Sequence, residues 1–200
     1  MARVDRVEFW EALYAGGGDG WDLGGPAPPL VDFVTTTPPP LGRVVVPGAG
    51  RGHDARFLAR RGYAVTAVDF STAAVRAAHA LARRDGAAVE ILQDDIFRLP
   101  CHHAHAFDGA WEYTCYCAID PARRREYLDV LRAIVRPGGW LLACFFPLRA
   151  QMAGPPFPVS RGEVRRRLAA AGFRIERAFA PVRSVRGRQG REWMVFARRT

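Results

Sequence analysis

Val44-Val45-Val46-Pro47-Gly48-Ala49-Gly50-Arg51-Gly52 is the stretch on which the fold turns. An apolar run leads into a turn with three glycines, and His53 to Arg61 then reads as a helix. Ala64 to Val68 is a second apolar run, and it ends on Asp69. The order is strand, tight turn, helix, strand, acid. Glycine lets a backbone bend sharply and lets a ligand approach it. The start of a helix aims unpaired N–H groups at that ligand. An acid at the end of the second strand can accept the hydroxyls of a ribose. The unit therefore predicts a nucleotide-like ligand.

Working outward, the alternation continues. A helix runs from about Thr72 to Arg84 behind Ser71, a good N-cap. Strand three is Val89 to Leu92, followed by Asp94-Asp95-Ile96, and strand four is Phe107 to Trp111 or a little beyond. A helix opens at Asp120-Pro121, with proline at its first position, and ends at Arg136-Pro137-Gly138-Gly139. Strand five is Trp140 to Phe146. Ser160-Arg161-Gly162-Glu163 has capping-box spacing and starts a last helix that closes at Gly172. Strands follow at about Phe173 to Phe179 and Glu192 to Arg198, joined by an arginine-rich loop, Val182 to Arg191. Repeated β-α units give a mostly parallel sheet covered on both faces. The pattern predicts an α/β fold with seven strands and an antiparallel C-terminal hairpin strand.

Residues 1–40 stand outside this alternation. Val7 to Ala15 reads as an amphipathic helix with Phe9, Trp10, Leu13 and Tyr14 on its apolar side, stopped by Gly16-Gly17-Gly18. A second helix lies near Leu30 to Val34. The aromatics either pack this arm on the core or make it a lid, since Trp10, Tyr14 and Trp21 offer flat faces to a ligand.

The totals bound the reading. With 200 residues, 49% of them hydrophobic, the chain suits one domain, residues 1–200, made of the arm and a core from 41 onward. No apolar run approaches the roughly 18 residues of a membrane span. The charged N-terminus has no apolar signal-peptide core, so the expectation is a soluble cytoplasmic protein. There the four cysteines stay reduced. Cys101, His102, His103 and His105 lack the paired spacing of structural zinc sites and read as a polar loop, so no metal is expected. Net charge is +9, and all 29 basic residues are arginine. That bias makes the basicity partly compositional, though a basic surface can steer nucleic acid or a small anion.

The glycine pattern is G-x-G-x-G, and alone it is any tight turn. Three features add to it: Asp69 at the end of strand two, Asp95-Ile96 after strand three, and Pro137-Gly138-Gly139 before an apolar fifth strand with a hairpin behind it. An acid in the place of Asp95 can accept the adenine amino group while Ile96 packs on the ring. Together these resemble class I S-adenosylmethionine-dependent methyltransferases. The resemblance covers most of the chain and implies a Rossmann-like fold, S-adenosylmethionine as cofactor and S-adenosylhomocysteine as product.

Four blocks carry a narrower resemblance. They are Trp10 through Tyr14 to Trp21-Asp22, Val46 to Asp54, Tyr113 to Pro121, and Gly154-Pro155-Pro156-Phe157. Their spacing resembles the thiopurine methyltransferase family, in particular its halide and thiol methyltransferases. This implies that Trp10, Tyr14 and Trp21 close over the cofactor. It implies that the methionine part lies against Gly48 and Gly50, that Asp69 holds the ribose, that Asp95 and Ile96 hold the adenine, and that Tyr113 sits near the cofactor. Trp21, Cys117, Phe146 and Pro156 are implied in the substrate pocket. Two positions depart from the pattern. Ala49 stands where cysteine is usual. Phe146 stands where halide and thiol methyltransferases tend to carry tyrosine, which speaks against halide and for an apolar acceptor.

A soft nucleophile such as a thiolate, iodide or bisulfide needs alignment and desolvation more than a general base. The sequence offers no catalytic dyad, so no catalytic residue is assigned. The rivals are a small-molecule O- or N-methyltransferase, a nucleic-acid methyltransferase and an inactive cofactor-binding scaffold. The run Glu112-Tyr113-Thr114-Cys115 after strand four does not resemble the Asn/Asp-Pro-Pro-aromatic motif of amino-methylating DNA enzymes, which argues against nucleic acid.

Overall fold

A computed structural model of the protein describes residues 3–148 and 154–200. Helix α1 (Val7–Ala15) and α2 (Pro28–Thr36) form the arm. Strand β1 (Arg43–Pro47), α3 (His53–Arg60), β2 (Ala64–Asp69), α4 (Thr72–Asp85) and β3 (Val89–Gln93) then alternate. Helix α5 (Pro100–His103), β4 (Phe107–Tyr113), α6 (Cys115–Ala118), α7 (Arg124–Ile134) and β5 (Val135–Phe145) follow. The chain finishes with α8 (Arg161–Ala170), β6 (Phe173–Phe179) and β7 (Trp193–Arg199). The seven strands lie in the order β3-β2-β1-β4-β5-β7-β6. Pairing is parallel from β3 across to β5, whereas β7 runs antiparallel to both of its neighbours, β5 and β6.

The apolar run in β1 is explained by burial on both faces, as expected of a central parallel strand. Val44 and Val46 face the layer that holds Leu30, Phe33 and Leu58, while Val45 faces the layer of Leu128 and Leu131. Side chains alternate across a strand, so one valine run serves two cores. The caps are where the sequence placed them. Ser71 accepts the Ala74 N–H at 3.1 Å, and Ser160 accepts the Glu163 N–H at 3.1 Å. Each such cap is worth about 1 kcal/mol.

Three readings change. The fifth strand begins at Val135, ahead of Pro137-Gly138-Gly139, because Val135 pairs with Phe107 before the register shifts and Trp140 pairs with Gly109. Gly109 leaves room for the indole: a Cβ there would lie 2.1 Å from the Trp140 ring. The Cys101–His105 stretch is also not all loop. Pro100 starts α5, and the His103 ring packs 5.7 Å from that of Phe107. Asp120 does cap a turn, but a 3-10 one (Pro121–Arg123), with α7 beginning behind it. Among the described residues no helix is long and apolar enough to cross a membrane.

Candidate active site

The carboxyl ends of β1, β2, β3 and β4 open into a cavity of about 600 Å³. Open α/β sheets bind ligands in this place. The arm supplies one wall through Trp10, Tyr14 and Trp21. Gly48, Asp69, Asp95 and Ile96 line the strand ends, and Cys117, Phe146, Pro156 and Arg188 lie at the other end.

The glycine turn and Asp69 are built as one piece. The Gly50 N–H donates to Asp69 Oδ2 at 2.9 Å, and the Ser71 N–H donates to Oδ1 at 3.0 Å. Burial pushes the Asp69 carboxyl above its ordinary range, and these backbone donors oppose the shift. Phe70 is a third backbone donor to this carboxylate, whose two oxygens have about four acceptor sites, so capacity remains for a ligand hydroxyl. Gly48 has φ +58° and Gly50 φ +54°, backbone that side chains resist. A Cβ on residue 48 would lie 2.8 Å from Cys115 Sγ, and one on residue 50 would lie 3.3 Å from Tyr14 Oη. After β3, Asp95 Oδ1 accepts the Phe97 N–H at 2.9 Å and starts a short turn. Asp95 lines the cavity together with Ile96 and Phe97.

The arm is fastened by charges. Glu11 accepts the N–H groups of Thr72 and Ala73 at the start of α4, where the helix dipole favours an anion. Asp5 pairs with Arg123 at 3.1 Å, and the Arg123 guanidinium lies 3.6 Å from the Phe97 ring centroid. Trp21 meets Trp10 and Tyr14 edge-on, at 5.5 and 5.4 Å between centroids. Asp22 reaches Arg51 at 2.9 Å and His53 at 3.1 Å. Deeper, Asp54 accepts the Ala27 N–H and the Trp111 indole N–H, both at 2.7 Å. Burial raises the Asp54 carboxyl, and these two bonds hold it down.

At the other end the predicted residues separate. Cys117 Sγ donates to the Thr114 carbonyl at 3.2 Å, and burial pushes the thiol up to about 12. It is a neutral wall. Phe146 does not make this end purely apolar, because the guanidiniums of Arg188 and Arg191 each lie 5.1 Å from its ring centroid. Tyr113 turns away from the large cavity. Its hydroxyl donates to Glu192, and its ring lines a smaller cavity of about 70 Å³ beside His53, Asp54 and Trp111.

Several residues that support or line the site carried little signal in the sequence. Glu112 is buried at the end of β4, where it accepts the Tyr116 N–H at 2.9 Å and the Tyr127 hydroxyl, and burial pushes it up to about 7. Nothing marks it but a charge inside an apolar strand. Asp54 and Glu11 read as ordinary helix acids. Arg188 was one arginine among several in its loop.

The whole span of residues 5–197 matches the model of the thiopurine S-methyltransferase family. The chain belongs to this family. A probable thiol methyltransferase of Arabidopsis thaliana is 33% identical over 166 residues, 82% of this chain and 73% of that relative. A thiopurine S-methyltransferase of Pseudomonas paraeruginosa is 32% identical over 187 residues, covering 86% of this chain and 85% of its own. Among solved structures, the 1,6-didemethyltoxoflavin-N1-methyltransferase of Burkholderia thailandensis superposes with a TM-score of 0.76 at 24% identity, covering 97% of this chain and 87% of that one. The protein is an S-adenosylmethionine-dependent methyltransferase of the thiopurine and thiol methyltransferase type. The cavity fits that cofactor in this chain's own terms: a turn that a Cβ would block, a buried carboxylate with open lone pairs, and aromatic faces above them.

Proposed function

We propose that the chain methylates a small soft nucleophile, a thiol, thiopurine, bisulfide or halide, by in-line displacement. The observation that carries this reading is how charge is distributed along the cavity. Its carboxylates, Asp5, Asp69, Asp94 and Asp95, line the arm and the ends of β2 and β3. Among the described residues, the far end, at Cys117, Ile119, Phe146, Pro155, Pro156 and Arg188, has no carboxylate or imidazole to take a proton. An acceptor bound there must arrive already nucleophilic, as a thiolate or halide does.

When bound, S-adenosylmethionine supplies a methyl group on a positively charged sulfur. Asp69 would hold the ribose, Asp95 and Ile96 the adenine, and the Gly48–Gly50 turn the methionine portion. Trp10, Tyr14 and Trp21 would cover the cofactor, making the arm, residues 1–40, a lid on the core. Tyr113 would act from behind the turn, by packing against it. Cys117, Phe146, Pro156 and Trp21 would exclude water from the acceptor. Holding two reactants in attack geometry lowers a barrier by on the order of 7–11 kcal/mol, so no acid or base is required. The thiols at Cys115, Cys117 and Cys144 are free and buried, which suits a reducing compartment such as the cytoplasm.

Methyl transfer assayed across iodide, bisulfide, aromatic thiols and thiopurines, with a phenol and an amine as controls, tests the reading. Turnover of one or more soft nucleophiles above the controls is expected. Activity on the phenol or amine alone would move the chain to O- or N-methylation.

A further inference from the structure

Glu112 is a buried acid that the reaction above does not use. It is 1% exposed and stands behind the cavity wall rather than in it. Just after it the chain turns a strained corner. Thr114 has φ +67°, left-handed backbone that a β-branched residue resists, and α6 starts at Cys115. Glu112 clamps that corner. Its Oε1 accepts the Tyr116 N–H at 2.9 Å, the Cys115 N–H is a second backbone donor, and Oε2 accepts the Tyr127 hydroxyl from α7. All three partners donate, which suits a carboxylate. A protonated acid would have to turn one of these bonds around. The corner also carries both halves of the site. Thr114, Cys115 and Cys117 line the cavity, and the Cys115 sulfur packs so close to the glycine turn that a Cβ on residue 48 would lie 2.8 Å from it. The Cys117 carbonyl accepts the Phe157 N–H at 2.7 Å, so the wall at Pro155 and Pro156 hangs from the same corner.

We propose that ionised Glu112 is a positioning residue for methyl transfer: it holds the corner at Thr114–Cys117 so that the donor's turn and the acceptor's wall keep the spacing that in-line attack needs. The inference rests on the methyl-transfer reading above and adds a residue that touches neither reactant. When alignment supplies the rate, a small displacement of such a wall is costly. The groups that face Glu112 are Cys115 and Cys117 on α6, Tyr127 and Arg124 on α7, and Cys144 on β5. Burial raises the three thiols and the phenol, which keeps them neutral, and Arg124 is paired with Glu163 at 3.1 Å. Glu112, pushed up to about 7 by burial, is the member of this set that changes charge near neutral pH. Its ionisation has two opposed effects. The buried charge costs the fold stability, while the charge tightens the three donors on the corner. Activity and stability should therefore run in opposite directions with pH.

The test follows methyl transfer from S-adenosylmethionine to 4-nitrobenzenethiol, which stays a thiolate from about pH 5.5 to 8.5, so that the acceptor's own titration does not enter. Wild-type kcat is expected to rise on the order of 5- to 10-fold through a midpoint near 7, roughly the gap between a neutral and a charge-assisted hydrogen bond. KM for both substrates should move less than about threefold, since the clamp sets alignment rather than binding. Glu112→Gln, an isostere of the protonated acid, should stay at the wild type's low-pH rate throughout. Activity that falls with stability as pH rises would make Glu112 a structural prop and overturn the inference. So would a flat wild-type profile, or the same titration in Glu112→Gln. Amide hydrogen exchange on the two full-length chains at one fixed pH keeps this inference apart from the reaction it rests on. Glu112→Gln should speed exchange over residues 114–117 about 5- to 10-fold, and unchanged exchange would sink the clamp. Faster exchange without methyl transfer to any soft nucleophile would sink the proposed reaction and leave the clamp standing.

Discussion

Gly50 and Asp69, nineteen residues apart in sequence, are joined by a hydrogen bond from the Gly50 N–H to Asp69 Oδ2 at 2.9 Å. The glycine turn and the acid that ends β2 therefore move as one unit, and a change in either disturbs the other.

Gly48 is the sharpest probe of that unit. Alanine there meets two obstacles, a left-handed backbone costing roughly 1–2 kcal/mol and the Cys115 sulfur 2.8 Å from the new carbon. Gly48→Ala should raise the dissociation constant of S-adenosylhomocysteine at least about tenfold by calorimetry. Adding Cys115→Ala removes the sulfur contact but leaves the Cβ of residue 115 at 3.0 Å and the backbone strain in place, so the double variant should recover part of the affinity. Binding by Gly48→Ala within twofold of the wild type would show that the cofactor does not lie against this turn.

Asp54 ties the arm to the core. Asp54→Ala leaves the Ala27 and Trp111 N–H groups without their acceptor. Each buried orphan costs about 1–3 kcal/mol. Urea unfolding should show a loss of roughly 2–5 kcal/mol, and limited proteolysis should cut within residues 16–27 sooner than in the wild type. A stability change below about 1 kcal/mol would contradict this role.

Arg123 fastens the other end of the arm through Asp5 and covers Phe97. Arg123→Ala should weaken cofactor binding severalfold, roughly 1 kcal/mol for a partly buried contact. The effect should shrink in high salt, which screens the wild-type pair as well. A loss that does not respond to salt would assign the effect to packing on Phe97.

Glu112 gives a pH signature. Burial raises its carboxyl from 4.5 to about 7 in the folded chain. A group raised on folding contributes its full stability below the unfolded value and loses it as pH rises through the folded one. The wild type should therefore be more stable near pH 5 than near pH 8, with up to about 3 kcal/mol from this residue. Glu112→Gln keeps an acceptor for the Tyr116 N–H and does not titrate, so its melting temperature should vary less over that window. Parallel curves for the two proteins would remove Glu112 as the source.

Much of this was legible in the sequence because local rules and tertiary need agree there. The β1 turn, Asp69, Ser71 and the Ser160 capping box are written in residue types that suit few other conformations. The start of β5 was missed because Pro137-Gly138-Gly139 normally ends an element. Only pairing with Phe107, far away in sequence, carries the strand back to Val135. Arg188 was hidden for a related reason. Burial of one arginine among several depends on how the loop folds over Trp21, Tyr113 and Phe146, and no short-range pattern encodes that. Tyr113 follows β4 as expected, but Glu192 draws its hydroxyl to the back of the turn.

The place of β7 between β5 and β6 has a consequence for biogenesis. A ribosome delivers β6 before β7, so the emerging chain must hold β5 with an open edge and β6 with no sheet to join. Residues 193–199 close that gap, and the residues just ahead of them bring Arg188 and Glu192 into place. During synthesis the cofactor side can form early, whereas the acceptor end waits for the last segment of the sheet. A nascent chain stalled before β7 should therefore recruit chaperones at the β5 edge while its nucleotide half is already folded.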